Sequence, residues 1–137
     1  MLFRSQLAHD VGEPNVLIHF DTFHANIEEK HPADSLRAAA KKLGHVHISE
    51  NDRGIPGTGH NDWPGILKAL REIGYDGWMT IESFAQPEPE LAAAAAIWRD
   101  LATSGDQLAR EGLRFIKALS QEIAIHTKHT RRKAGVD

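Results

Sequence analysis

Val16-Leu17-Ile18-His19-Phe20-Asp21-Thr22-Phe23-His24 decides the fold. An apolar run ends in a carboxylate and an imidazole. Two further stretches share that pattern, His45-Val46-His47-Ile48-Ser49-Glu50 and Trp78-Met79-Thr80-Ile81-Glu82-Ser83. Each reads as a buried parallel strand whose last residues turn polar. In parallel α/β folds ligands bind beyond the carboxyl ends of the strands. An Asp, a His and a Glu converging there would suit a divalent cation held over a small polar substrate.

The intervening segments read as helices and turns. Residues 1–10 are expected to end a helix, with Gly12-Glu13-Pro14-Asn15 as the turn after it. The first strand is expected over 16–21 and a polar loop over 25–33. A helix over 34–43 would be capped by Asp34 or Ser35, favoured by Ala38, Ala39 and Ala40, and stopped by Gly44. After a second strand over 45–49, residues 50–61 form a loop dense in Gly, Asn, Asp and Pro. A helix then begins near Asp62, with Pro64 in its first turn. Ile66, Leu67, Leu70 and Ile73 form its apolar stripe, and Gly74 stops it. Asp76-Gly77 turns into a third strand over 78–82. A loop over 83–88 leads to a helical region over 89–123, broken near Thr103-Ser104-Gly105.

Strands alternating with helices predict parallel pairing and right-handed crossovers. The expected class is therefore α/β, a partial (β/α) barrel with three parallel strands. Residues 1–125 make up the folded unit. Residues 126–137 are expected to be a basic flexible tail, because they lack apolar periodicity.

The 137 residues suffice for one core. They fall short of the roughly 250 typical of a complete eight-stranded barrel. A net charge of −3, with nine His counted neutral, gives no electrostatic case for nucleic acid. The absence of Cys excludes disulfides, thiolate metal sites and Cys nucleophiles. No run approaches the roughly 18 apolar residues of a membrane span. Met1-Leu2-Phe3-Arg4-Ser5-Gln6 lacks the apolar core of a secretory signal. No membrane partner and a cytoplasmic location are expected.

Several side chains are candidates for chemistry. Asp21 ends a strand, where a carboxylate is costly to bury unless paired or metal-bound; capping a helix is the plainer role for a lone Asp. His45 and His47, at i and i+2, face the same side of their strand, a spacing that points two imidazoles into one site. His47, nearer the carboxyl end, is the better ligand, while the deeper His45 is expected to hydrogen-bond only. Glu82 ends the third strand and could serve as both ligand and base. This hard donor set suits Mg²⁺ or Mn²⁺, with Co²⁺ possible, better than structural zinc. A cation on neighbouring sugar oxygens would acidify the C–H beside a carbonyl, and a carboxylate could remove that proton. Such chemistry interconverts ketoses and aldoses or inverts a carbon next to a carbonyl. Arg53 is either a solvated loop residue or an anchor for substrate oxygens, and His24 taken alone is more often a surface residue. Gly57-Thr58-Gly59 lacks P-loop spacing and reads as a turn. Glu50, Glu28 and Glu29 read as loop charges. Trp63, Phe23 and Phe84 read as packing residues before pocket-lining ones.

Taken together, these residues closely resemble the D-tagatose 3-epimerase (ketose 3-epimerase) family of xylose-isomerase-like barrels. The matching stretches are Asp21-Thr22-Phe23-His24 with Asn26-Ile27-Glu28-Glu29, the run Gly44 to Gly54, Gly57-Thr58-Gly59, Asp62-Trp63, Gly74-Tyr75-Asp76-Gly77 and Ile81-Glu82-Ser83-Phe84. They cover about residues 10–120. The resemblance implies that Asp21, His47 and Glu82 are ligands to Mn²⁺, Mg²⁺ or Co²⁺. It implies that Glu82 exchanges the proton at C3 through an enediolate, and that His24 and Arg53 hold the ketose oxygens at C1 and C2. The family's fourth ligand is a Glu that is also the second acid/base. It belongs to the first half of the barrel, and Glu13 cannot replace it. The expectation is a C-terminal half-barrel with an incomplete site, slow or inactive in epimerisation. The alternative is a truncated or degenerate non-catalytic half that self-associates through its open edges and inner face, and a homo-oligomer is expected. The superfamily's abasic-DNA endonuclease activity is disfavoured by the acidic balance.

Overall fold

A computed structural model describes residues 2–133, with side chains described for 5–124. The elements are α1 (Leu2–Val11), β1 (Ile18–Asp21), α2 (Thr22–Glu28), α3 (Pro32–Ala39), β2 (Leu43–Ile48), α4 (Trp63–Glu72), β3 (Met79–Ile81), α5 (Pro89–Ala94) and α6 (Gly105–Lys133). A 3₁₀ turn, Ala40–Lys42, joins α3 to β2. The strands form one parallel sheet in the order β1-β2-β3, the α/β arrangement expected.

One face of the sheet buries Ile18, Phe20, Val46 and Ile48 beneath Leu36 and Ala39 of α3, Ile66, Leu67 and Leu70 of α4, and Ile116 of α6. The other face carries His19, Asp21, His45 and His47. Simple alternation would put Leu43 on that polar face as well, because it lies two residues before His45. A register shift prevents this: Ile18 pairs with Leu43, yet His19 pairs with His45. Gly44 is the extra residue. A Cβ there would lie 2.7 Å from Leu17 Cβ, so the strands approach too closely for a side chain. Gly44 therefore shapes β2 and does not terminate the preceding helix. That helix ends at Ala39, and Ala40 takes a left-handed φ of 37°.

The other departures from expectation are local. The loop expected over 25–33 is instead the end of α2, which starts directly on the strand end, a three-residue link over 29–31 and the start of α3 at Pro32. α3 begins at Pro32 behind His31, so neither Asp34 nor Ser35 caps it. Instead Ser35 Oγ donates to Glu29 Oε2 at 2.8 Å and Asp34 pairs with Arg37 at 2.7 Å. Irregular chain over 95–104 separates α5 from α6, where the Ser104 hydroxyl accepts the Gln107 amide at 3.1 Å. The α6 backbone runs to Lys133, so it is helical through most of the stretch expected as a tail; residues 134–137 lie outside the described residues.

Thr22 fastens the end of β1 to the end of β2. It is 1% exposed. Its hydroxyl donates to Ser49 O at 2.6 Å and accepts the Ser49 amide at 2.7 Å. Thr22→Val keeps the shape but leaves the buried Ser49 amide unpaired and removes one of the two donors to Ser49 O, which keeps the Asn61 side-chain amide at 2.9 Å. It is expected to lower unfolding free energy by about 2 kcal/mol or more, measured by urea denaturation.

Candidate metal and substrate site

Parallel register brings the candidate ligands to one height. Asp21 pairs with His47, and His47 with Thr80. The ladder extends one step past β3, where the Glu82 amide donates to Ile48 O at 3.0 Å. His47 Nδ1 lies 3.7 Å from both Asp21 Oδ2 and Glu82 Oε2. One ligand atom from each residue falls within a common 4.8 Å. Neighbouring ligands of an octahedral Mg²⁺ or Mn²⁺ sit about 3 Å apart, so small side-chain rotations close this set around an ion.

Asp21 is both a helix cap and a site residue. Oδ1 accepts the amides of Phe23 at 2.8 Å and His24 at 3.3 Å, starting α2. Oδ2 faces His47 and lies 3.8 Å from an Arg53 guanidinium nitrogen. The plain role and the functional one use different oxygens.

Arg53 belongs to the site. It is 8% exposed and takes a left-handed φ of 69°, uncommon for a residue with a Cβ. One terminal nitrogen donates to Glu82 Oε2. The other lies 3.3 Å from His24 Nε2. The guanidinium carbon sits 4.0 Å from the Phe23 ring centroid and 5.5 Å from that of Phe84. Its buried Nε has no hydrogen-bond partner among the described residues. Phe23 and Phe84 thus orient a cation.

What holds Arg53 in place is Glu50, which sequence reasoning read as a loop charge. It is 0% exposed. Oε1 accepts the amides of Asn51 at 3.0 Å and Asn61 at 3.1 Å. Oε2 accepts the Gly57 amide at 2.8 Å and Trp63 Nε1 at 2.7 Å. Four donors on two oxygens replace the lost hydration of a buried carboxylate. They also fold the loop over 50–62 around it. Gly59 is required by this closeness, since a Cβ there would meet Asn51 Oδ1 at 2.0 Å. Gly57-Thr58-Gly59 is accordingly a turn, closed by the Thr58 amide on Ile55 O at 3.1 Å.

His45 and His19 complete the polar face. The His45 ring is 5.3 Å from each of the His19 and His47 rings, and His19 lies 4.0 Å from His47. Partial desolvation against its neighbours, then the adjacent imidazoles of His47 and His45, hold His19 below the ordinary histidine range, with Asp21 and Glu82 acting in the opposite sense. His19 was not singled out from sequence. A cavity of about 220 Å³, lined by Leu67, Leu70, Tyr75 and Met79 among others, contains no carboxylate or imidazole and is separate from this chemistry.

The fold finds counterparts among known proteins. The xylose isomerase-like TIM barrel family matches residues 5–119. The chain belongs to that family. An L-ribulose 3-epimerase from Methylomonas sp. strain DH-1 is 44% identical over 110 residues, 79% of this chain and 38% of the relative. A D-psicose 3-epimerase from Agrobacterium fabrum is 41% identical over 97 residues, 71% of this chain and 34% of the relative. A solved L-ribulose 3-epimerase superposes with a TM-score of 0.81 at 38% identity, covering 89% of this chain and 42% of that one. The structure of D-psicose 3-epimerase with D-tagatose, from Clostridium cellulolyticum H10, gives 0.77 at 33% identity, covering 85% and 42%. This xylose isomerase-like chain thus spans about two fifths of the length of such relatives.

Glu50→Gln tests the role of the buried carboxylate. An amide nitrogen would face either the two backbone amides or the Gly57 and Trp63 donors, donor against donor. A stability loss of about 2–4 kcal/mol is expected, read by denaturant titration followed through Trp fluorescence.

Proposed function

We propose that this chain carries one half of a divalent-metal ketose 3-epimerase site. The observation that supports this most is the shared height of Asp21, His47 and Glu82, with Arg53 bridging toward His24. The relatives' names indicate ketose substrates epimerised at C3. Asp21, His47 and Glu82 would hold the ion, and their hard, mostly carboxylate character fits Mn²⁺, Mg²⁺ or Co²⁺. When bound, the ion supplies Lewis acidity that makes the proton beside a carbonyl easier to remove.

The chain's own residues do the rest. Glu82 Oε2 carries the contacts to His47 and Arg53, so Oε1 is the oxygen available to take the C3 proton. The C3–H pair then passes into the C2 carbonyl, giving an enediolate, and the proton returns from Glu82. Arg53 and His24 bind the ketose oxygens, Arg53 supplying positive charge where negative charge develops. Its aromatic contacts with Phe23 and Phe84 keep it aimed.

Inversion requires a second acid on the opposite face of C3. Among the described residues this group offers only Asp21 besides Glu82, and Asp21 Oδ1 is committed to α2. The chain alone is therefore expected to exchange the C3 proton without efficient inversion. In D₂O with Mn²⁺ and D-fructose, NMR should show deuterium entering C3 faster than a C3 epimer accumulates. Glu82→Gln should abolish the exchange and weaken Mn²⁺ binding at least about tenfold by calorimetry. Exchange that survives Glu82→Gln would sink this reading. Absence of exchange in the unaltered chain, with a sedimentation mass of two chains, would favour a non-catalytic half-barrel that self-associates. The 83% exposure of Trp78 and the unpaired edges of β1 and β3 are the features that would drive such pairing.

A further inference from the structure

A second ligand group overlaps the one just described, and the ketose chemistry makes no use of two of its members, His19 and His45. His19, His45 and His47 each present a ring nitrogen within a common 4.8 Å. The backbone dictates this triangle. His45 and His47 are i and i+2 on β2, and His19 is the cross-strand partner of His45. The Gly44 shift turns all three to one face. Their rings meet edge to face at interplanar angles of 62°, 80° and 80°, and one nitrogen of each ring lies within the common 4.8 Å. Among the described residues, the rings of His19 and His45 make no hydrogen bond, although their backbones pair within the sheet. His19 is exposed, so a fourth ligand position faces solvent.

We propose that His19, His45 and His47 form a second, trihistidine metal site, selective for Zn²⁺, Ni²⁺ or Cu²⁺ over Mn²⁺ and Mg²⁺. Three neutral imidazoles with no anionic oxygen favour late transition metals, whereas the neighbouring carboxylate-rich group favours hard cations. Three protein nitrogens plus one open position form a familiar zinc arrangement. Bonds of about 2.0–2.1 Å put tetrahedral nitrogens about 3.4 Å apart, within reach of modest ring rotation from the present spacing. His47 belongs to both groups. Its Nδ1 faces Asp21 and Glu82, so an ion drawing His47 into the imidazole triangle withdraws it from the carboxylates. Zn²⁺ and Mn²⁺ are thus antagonists on this chain.

The test uses the untagged full chain at one fixed pH, with Zn²⁺ and Mn²⁺ titrated separately by calorimetry. His19→Asn should weaken Zn²⁺ binding at least about tenfold and leave Mn²⁺ binding within twofold. His45→Gln, as a second variant, should do the same. Glu82→Gln should give the reverse pattern. Co²⁺ should show the intense visible bands of four-coordination in the unaltered chain and lose them in His19→Asn. Circular dichroism identifies any variant that has lost its fold. Zn²⁺ affinity unchanged in both folded histidine variants would overturn the proposal. So would a Glu82→Gln loss of Zn²⁺ as large as that of His19→Asn, since Zn²⁺ would then occupy the carboxylate group.

Discussion

Strand register is the constraint from which the site follows. Parallel pairing sets Asp21 opposite His47, and the amide of Glu82 continues the ladder on Ile48 O. Three short strands thereby deliver their last polar side chains to one level with no long-range adjustment of the helices. The Gly44 shift is part of the same constraint. Without it, the pairing that buries Leu43 with Ile18 would put the β2 histidines out of phase with His19 and Asp21. The close approach of Leu17 at that point excludes a side chain, so a local steric fact governs which face bears the imidazoles.

The second layer of organisation is electrostatic. A buried carboxylate, Glu50, gathers four N–H groups and holds the long loop after β2. That loop puts Arg53 against Glu82 and His24, with its guanidinium over Phe23. Neither charge is tolerable alone at such burial. Glu50 is satisfied by amides and an indole, Arg53 by a carboxylate and aromatic rings. The loop is consequently an ordered part of the site despite containing neither helix nor strand.

Much of this was legible in sequence because its signals are local. Asp21, His47 and Glu82 stand out as polar residues closing apolar runs, and a run of five residues suffices to see that. The α4 stripe and the Asp62 start were equally visible, and Asp62 does accept the Gly65 amide at 3.1 Å. What escaped depends on partners far along the chain. Glu50 looks like any loop acid until Gly57, Asn61 and Trp63 fold back on it. His19 looks like one residue in an alternating strand until the register shift decides its face. The helix after Asp21 has almost no apolar periodicity, and its signal is the capping carboxylate that the metal reading had already claimed.

That double claim on Asp21 carries a consequence for how such a site can drift under mutation. A swap to Asn preserves an acceptor for the amides of α2 while removing the anion, and a swap to Glu keeps the anion while displacing the cap. No replacement retains both properties, so position 21 is pleiotropic: selection on local folding and selection on ion affinity act on a single codon. Decay of the chemistry would therefore free this residue only toward other capping side chains such as Asn, and an aspartate found here in a distant, inactive homologue could be retained for the cap alone.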